Sequence, residues 1–284
     1  VIASENAPVL VGLIGSGIQA SLTPAMHEQE GRAQGLDYSY GLIDLDVLGV
    51  GIEALPELLQ QAERGGFRGL NITYPCKQAV IQHLDELDAE ATLIGAVNTV
   101  VFRGNRRIGH NTDWFGFAQS FRHEFGDVPR EHVVLLGAGG AGAAVAHALL
   151  KSGVRQLTVV DTLPERATSL AAELGARFAD TRVDALLRVE ETSDIDGIVN
   201  ATPVGMAKLP GLPIGANLVV PSSWVADVIY FPRETELLQL ARARGCRTMS
   251  GAGMAVHQAA EAFHLFTGRI ADAERMHRVF ESAI

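Results

Sequence analysis

Three groups of residues in this chain have types and spacings that can do chemistry. The first is Gly137-Ala138-Gly139-Gly140-Ala141-Gly142, which follows the apolar run His132–Leu136 and precedes the alanine-rich, breaker-free stretch Ala143–Leu150. A Gly-x-Gly-x-x-Gly turn between a strand and a helix lets the backbone approach a pyrophosphate, whose charge is met by the N–H groups of the helix N-terminus. A second apolar run, Gln156–Val160, ends in Asp161, 19 residues past Gly142. That is the spacing of a carboxylate that reaches the ribose of a dinucleotide. The glycines alone are compatible with a packing turn. Strand, helix and terminal acid in register predict a dinucleotide site, and the acid predicts NAD.

The second group is Asn71-Ile72-Thr73-Tyr74-Pro75-Cys76-Lys77. A strand is expected over Gly69–Thr73, Pro75 forces a turn, and Lys77 opens the next helix, the unfavourable end for a cation. Such a lysine is an accident of the surface unless an acid is available to hold it. Asn98 is a polar residue in the apolar strand Val97–Phe102, and Gly109-His110-Asn111-Thr112-Asp113 ends a hairpin on an acid that could equally cap the helix after it. The third group is Gly15-Ser16-Gly17-Ile18-Gln19-Ala20, another Gly-x-Gly turn after a strand, with Asp44 ending the strand that follows. Here Ser21-Leu22-Thr23-Pro24 intervenes before any helix. Pro24 suits a first helical position with Thr23 as its N-cap. The turn then presents the Ser21 and Thr23 hydroxyls at the carboxyl end of a strand, where open α/β sheets bind ligands, or it is a capping turn and nothing more.

The elements that must position these groups alternate. Strands are expected at Val9–Ile14, Tyr38–Ile43, Ile195–Asn200 and Val225–Tyr230, and a hairpin turns at Gly104-Asn105. Helices are expected at Pro24–Ala33, Leu48–Glu63, Asp113–Glu124, Pro164–Leu174, Glu234–Arg242, Met254–Phe266 and Ala271–Phe280. Alternation of this kind implies mostly parallel sheets covered by helices. About 130 residues precede the glycine-rich turn in a chain of 284, a length at which single cores split. The expected fold is therefore α/β in two domains: an N-terminal substrate domain with a mostly parallel sheet over 1–112, a Rossmann-type dinucleotide-binding domain over 113–250, and C-terminal helices over 251–284 returning to the first. The reaction is expected in the cleft between the domains.

A net charge of −10 disfavours nucleic acid and anionic membrane surfaces as partners. No apolar run approaches the ~18 residues of a membrane span, and no signal-peptide pattern opens the sequence, so cytoplasm is the expected compartment. Cys76 and Cys246 are too few for a disulfide framework and lack metal-ligand spacing.

Six ordered segments carry a resemblance that spans nearly the whole chain: Ser21–His27, Asn71–Lys77, Gly95–Thr99, Gly109–Asp113, Asn200-Ala201-Thr202-Pro203-Val204-Gly205-Met206 and Met254–Ala260. On these the sequence resembles the shikimate/quinate dehydrogenase family. The resemblance implies that Lys77 and Asp113 are the catalytic pair and that Ser21, Thr23, Thr73, Asn98, Tyr230 and Gln258 line the substrate. It implies that Thr202, Val228 and Gly251 lie against the cofactor. Arg166, on the helix after Asp161, is a further cofactor-binding candidate by its position, expected to neutralise part of an NADP phosphate. Oxidising a ring alcohol removes a hydride from carbon, which a nicotinamide accepts, and a proton from oxygen, which a side chain must accept. An ordinary lysine titrates near ~10.4 and is a poor base at neutral pH. Burial and an oxidised nicotinamide ring favour its neutral form, and a nearby carboxylate opposes it. The acid's expected role is to orient the lysine and hold a substrate hydroxyl. Nothing in this chemistry needs a metal.

Two departures sharpen the resemblance. Biosynthetic members usually carry serine where Thr23 stands, and Asn-Arg-Thr where Asp161-Thr162-Leu163 stands; that arginine reads the 2′-phosphate of NADP. Both point toward quinate catabolism with NAD, quinate and shikimate being the expected substrates and the chain a monomer or homodimer. The alternatives are an NADP-dependent biosynthetic shikimate dehydrogenase, working toward aromatic amino acids, and a non-enzymatic sensor of quinate or cofactor on the same fold. Retention of both Lys77 and Asp113 speaks against the sensor. Ser250, where an aspartate is common, has no functional reading.

Overall fold

Apolar runs of four to seven residues form the inner strands of two sheets, and the amphipathic stretches between them form the covering helices. The computed structural model describes residues 8–189 and 195–283. These fall into two compact units, one running to Thr112 and resuming at Val256, the other Asp113–Ala255.

The first unit contains β1 (Val9–Gly15), α1 (Thr23–Ala33), β2 (Tyr38–Asp44), α2 (Leu45–Leu48), α3 (Leu55–Arg64), β3 (Gly69–Ile72), α4 (Cys76–Ala79), β4 (Glu86–Leu87), α5 (Ala89–Ile94), β5 (Thr99–Arg103) and β6 (Arg106–His110). Its strands lie in the order β2-β1-β3-β5-β6-β4, and β5 alone runs against its neighbours. One face buries Ile14, Leu55, Leu59, Leu70, Ile72 and Val100.

The second unit contains α6 (Asp113–Phe125), β7 (His132–Leu136), α7 (Gly140–Lys151), β8 (Gln156–Val160), α8 (Pro164–Arg177), β9 (Arg182–Leu186), β10 (Gly197–Asn200), β11 (Trp224–Asp227), α9 (Glu236–Ala243) and β12 (Thr248–Met249). Its sheet is wholly parallel in the order β9-β8-β7-β10-β11-β12, the strand order 3-2-1-4-5-6 of a Rossmann domain. Helix α6, whose first residue is Asp113, is seated by Phe121 and Phe125 against Trp224, with ring centroids 5.2 and 5.1 Å away. Gly197 makes room for that indole, since a Cβ there would lie 2.1 Å from Trp224 Cζ2.

Helix α10 (Gly251–Thr267) contains the passage from the second unit to the first, and α11 (Ala273–Ser282) follows it. Within the first unit the fully buried Glu30 of α1 anchors α11. Its carboxylate accepts from Arg275 Nη1 at 2.7 Å, Asp272 N at 3.0 Å and Gln34 Nε2 at 2.6 Å.

Several boundaries differ from the sequence expectation, each for a local reason. The helix expected over Leu48–Glu63 is interrupted, because Gly49 takes a left-handed φ of 66° that ends α2 and Gly51 is extended before a 3₁₀ turn at Ile52–Ala54. The strand expected over Val225–Tyr230 stops at Asp227, whose side chain takes the Ile229 N–H that a further ladder bond would need. Thr23 is not an N-cap: it is the first residue of α1, and its N–H is held by Ser21 Oγ at 3.3 Å. The helix that Lys77 was expected to open is the four-residue α4, running directly into a 3₁₀ turn at Val80–His83. It has too few aligned peptides for the dipole argument to apply.

Candidate functional site

In the second unit the glycine-rich turn lies where the strand order reverses, between β7 and β10. Gly137 has a φ of 99°, and a Cβ on it would stand 2.8 Å from the Ala201 carbonyl oxygen and 3.1 Å from Thr202 Cγ2. A Cβ on Gly142 would stand 2.0 Å from the Gly137 oxygen. These two glycines are required for the chain's own packing. Gly139 differs, because a Cβ there would meet nothing within 4 Å. It is also the N-cap of the twelve-residue α7, which no side chain caps. Open backbone at an uncapped helix N-terminus is what a pyrophosphate requires, so Gly137, Ala138, Gly139, Gly140, Ala141 and Gly142 fit a dinucleotide.

Asp161 follows β8 directly. One carboxylate oxygen accepts the Ala138 N–H at 2.7 Å, the other the Leu163 N–H at 2.9 Å. Each oxygen has a further lone pair for a ligand hydroxyl. Arg166 is exposed in the first turn of α8.

The remaining predicted cofactor residues gather at the carboxyl ends of β10 and β11. Thr202 donates its hydroxyl to Asn200 Oδ1 at 2.7 Å, the Val228 N–H reaches the Asn200 carbonyl at 3.0 Å, and the Gly251 N–H reaches the Ile229 carbonyl at 3.2 Å. Gly251 is obligatory, since a Cβ would come within 2.1 Å of the Val228 oxygen. Tyr230, the predicted substrate residue of this unit, is about one-third exposed just beyond.

Sequence reasoning missed the residue that organises these loops. Asp227, 1 % exposed, accepts Asn200 Nδ2 at 3.0 Å, the Ile229 N–H at 3.0 Å and the Thr235 hydroxyl at 2.8 Å. Burial outweighs these bonds and raises its carboxyl to about 6. An acid ending an apolar strand was the available signal, hidden by the expectation that the strand continues to Tyr230.

In the first unit the predicted substrate residues surround the carboxyl ends of β1 and β3. A Cβ on Gly15 would lie 2.3 Å from Thr73 Cγ2 and 2.8 Å from the Tyr74 oxygen, so the turn after β1 is pressed against Thr73. Ser21 Oγ stands 3.2 Å from Thr23 Oγ1, giving two adjacent hydroxyls. The half-buried Lys77 is tied to the segment just before β5, which starts at Thr99 and not at the expected Val97: the Lys77 carbonyl accepts the Val97 N–H at 2.8 Å. Asn98, 3 % exposed, lies with its Nδ2 3.4 Å from Gln258 Oε1 of α10. Asp113, 6 % exposed, begins the second unit. Its predecessor Thr112 is pinned to Asn98 Oδ1 by a backbone N–H at 2.7 Å.

Asp44 does not resemble a ribose acid. It is 3 % exposed and its two oxygens take four donors: Gly17 N at 3.0 Å, Asp46 N at 3.1 Å, Ile18 N at 3.1 Å and Gln19 Nε2 at 2.9 Å. It holds the turn that leads to Ser21. Among the described residues, no cluster of three or more His, Cys, Asp or Glu side chains could hold a metal ion, and no helix is long and apolar enough to cross a membrane.

Comparison with known proteins finds matches along most of the chain. Residues 13–100 match the shikimate dehydrogenase substrate binding domain, 119–204 the shikimate/quinate 5-dehydrogenase model, and 251–279 the shikimate 5′-dehydrogenase C-terminal domain. A shikimate dehydrogenase (NADP(+)) of Streptomyces avermitilis is 58% identical, the match covering 94% of this chain and 93% of that one. A quinate/shikimate dehydrogenase (NAD(+)) of Corynebacterium efficiens is 48% identical over 96% and 98% of the two chains. The structure of quinate dehydrogenase from Corynebacterium glutamicum in complex with NAD superposes with a TM-score of 0.89 at 44% identity, covering 98% of this chain and 100% of that one.

Proposed function

The chain belongs to the shikimate/quinate dehydrogenase family, and within it we propose an NAD-dependent enzyme that oxidises quinate, shikimate or both to the 3-dehydro ketones. The family makes it an oxidoreductase that uses a nicotinamide dinucleotide. The observation that carries the finer reading is Asp161: a carboxylate fixed by the Ala138 and Leu163 N–H groups at the adenine-ribose end of the glycine-rich turn. It accepts from ribose hydroxyls and repels a 2′-phosphate.

In this reading Gly137–Gly142 and the N-terminus of α7 hold the pyrophosphate, and Thr202, Val228 and Gly251 border the nicotinamide end. The bound nicotinamide supplies a hydride acceptor. Lys77 takes the proton of the reacting hydroxyl, and Asp113 orients Lys77 and holds a substrate hydroxyl. The Ser21 and Thr23 hydroxyls bind the substrate carboxylate as neutral donors, which a carboxylate accepts well. Thr73, Asn98, Gln258 and Tyr230 bind the ring hydroxyls.

A second reading, a biosynthetic enzyme using NADP, is favoured by the 58% identity to the NADP(+) enzyme of Streptomyces avermitilis. One experiment separates the two: kcat/KM of the wild type with NAD and with NADP, on quinate and on shikimate, at one pH and salt concentration. Two unit charges ~4 Å apart repel by about 4 kcal/mol at an effective dielectric of 20, before screening. NAD is therefore expected to be preferred by at least ~10-fold. Equal values overturn the role given to Asp161 and revive the second reading; a preference for NADP establishes it.

A further inference from the structure

A line of buried side chains runs through the first unit's sheet and ends at Asn98. Tyr40 is 8 % exposed, Asn71 4 %, Thr99 0 %, Asn98 3 % and Thr112 2 %. Two backbone groups along it have no choice of role. The Thr112 N–H can only donate, and it meets Asn98 Oδ1 at 2.7 Å. The Asn98 carbonyl can only accept, and it meets Asn71 Nδ2 at 3.4 Å. Reversing the Asn98 amide would set its NH₂ against a backbone donor, and reversing Asn71 would set oxygen against oxygen. Both orientations are fixed.

The hydroxyls between them then have single roles. Thr99 Oγ1 accepts from Asn71 Nδ2 at 3.0 Å, so its one proton goes to Asn98 Oδ1 at 3.1 Å. Tyr40, its phenol held well above the usual range by burial, keeps its proton and donates to Asn71 Oδ1 at 2.8 Å. Downstream, Asn98 Nδ2 donates to Thr112 Oγ1 at 2.9 Å, and the Thr112 hydroxyl lies 3.3 Å from Asn98 Oδ1 and 3.5 Å from Gln258 Oε1. Asn98 Nδ2 is also 3.4 Å from that oxygen, so Gln258 turns its carbonyl toward Asn98. Donation therefore runs one way, from Tyr40 through Asn71 and Thr99 to Asn98 and Gln258.

We infer that Tyr40, Asn71 and Thr99 are positioning residues that reinforce the Thr112 N–H in holding the Asn98 carboxamide with its Oδ1 inward and its Nδ2 toward Gln258, so that Asn98 offers an N–H donor to a hydroxyl oxygen of the polyol substrate. The long 3.4 Å contact between the two amides is the one that such an oxygen displaces. The inference rests on the substrate reading above and adds its polarity: at this point the ligand accepts and does not donate. In a low-dielectric interior each such bond holds the amide more firmly, so Thr99, its proton directed by Asn71 and Tyr40, is a second anchor on Asn98 Oδ1 beside the Thr112 N–H.

Thr99→Val tests it, because valine keeps the volume and removes only the hydroxyl. The KM for quinate and shikimate is expected to rise ~10-fold, about the worth of one hydrogen bond to a well-placed partner, with the KM for the dinucleotide unchanged and kcat changed less than ~3-fold. Thr99→Ser is expected to restore the wild-type KM, and Tyr40→Phe to raise it in the same sense by less. A wild-type KM in Thr99→Val, or an equal rise in both KM values, overturns the relay and leaves the substrate reading intact. A wild type that turns over neither polyol overturns that reading, and the polarity assigned to its ligand with it.

Discussion

Each unit contains the same local device, put to different use. In both, a glycine at the end of a central strand or directly after it lies against the chain leaving a neighbouring strand: Gly15, the last residue of β1, against Thr73 and Tyr74, and Gly137, the residue after β7, against Ala201. In both, the neighbouring strand is followed or ended by an aspartate whose carboxylate takes an N–H from the turn, Asp44 from Gly17 and Asp161 from Ala138. The helix makes the first difference. α7 begins three residues after Gly137 and presents uncapped N–H groups, whereas α1 begins only at Thr23, leaving a loop that offers hydroxyls. Donor count makes the second. Asp44 has four donors and is nearly sealed, while Asp161 has two and is half-buried. A motif read only as glycine spacing plus acid cannot tell these apart. What decides is whether the turn has spent the carboxylate's lone pairs.

The largest effect is expected where the comparison breaks, because neither turn supplies a proton acceptor. Lys77→Ala is expected to lower kcat by roughly 10²–10⁴-fold, the usual worth of a general base, with a smaller change in KM. Steady-state rates with quinate and NAD measure this. A near-wild-type kcat would remove Lys77 from the chemistry and leave the two turns as binding devices without a catalyst between their roles.

The two aspartates sharpen the comparison when each is replaced by asparagine. Asp161→Asn is expected to narrow the gap between NAD and NADP by about 10-fold, through weaker NAD binding and relief of phosphate repulsion, and to leave the polyol KM alone. Replacing Asp161-Thr162 by Asn-Arg is expected to improve NADP use further by giving the phosphate a bidentate partner. Asp44→Asn has the opposite signature. Both Asp44 oxygens take two donors, so either orientation of the asparagine sets an NH₂ against N–H groups. The turn before Ser21 loosens, and the polyol KM is expected to rise ~10-fold with the cofactor KM unchanged. Measuring both KM values for both variants decides the matter. A shared pattern would mean that the turns do not have separate ligands.

Much of this was legible in advance, and what was not has identifiable causes. The strands of the second unit are apolar runs bounded by glycine or acid, so β7, β8 and β10 lie where periodicity puts them. Strand β9 escaped because Arg182-Val183-Asp184-Ala185-Leu186 is a half-exposed edge with charges at alternate positions. In the first unit Asn98 stood out as polar within an apolar strand. Asn71 and Thr99 carry the same signal, but their worth lies in bonds across β3 and β5, which linear spacing does not reveal. Asp44 was visible as an acid at a strand end and its saturation was not, since its donors come from the turn's three-dimensional path.

Asp227 extends the comparison to a third strand-end acid and gives the smallest expected effect on turnover. Asp44 and Asp227 are both sealed, yet they shift in opposite directions. Hydrogen bonds, that of Gln19 foremost, hold the Asp44 carboxyl below the usual carboxylate range, so its contribution to stability is present above the unfolded value and fades as pH falls. Asp227 has three donors against deeper burial, and burial wins, raising it to about 6. The sign of its linkage is reversed: between about 4 and 6 the folded state holds a proton that the unfolded state has released, so stability declines as pH rises through that window. A rise from near 4 to about 6 corresponds to at most about 3 kcal/mol. Asparagine suits this site as it does not suit Asp44. Its oxygen can keep Asn200 Nδ2 and the Ile229 N–H, which share Oδ1, while its NH₂ donates to the Thr235 hydroxyl. Asp227→Asn is therefore expected to flatten the stability profile between pH 4 and 6 and to change kcat at pH 8 by less than ~3-fold. Denaturant midpoints across that range measure it. An unchanged slope would show that Asp227 is ionised throughout and that its three donors, like those of Asp44, outweigh its burial.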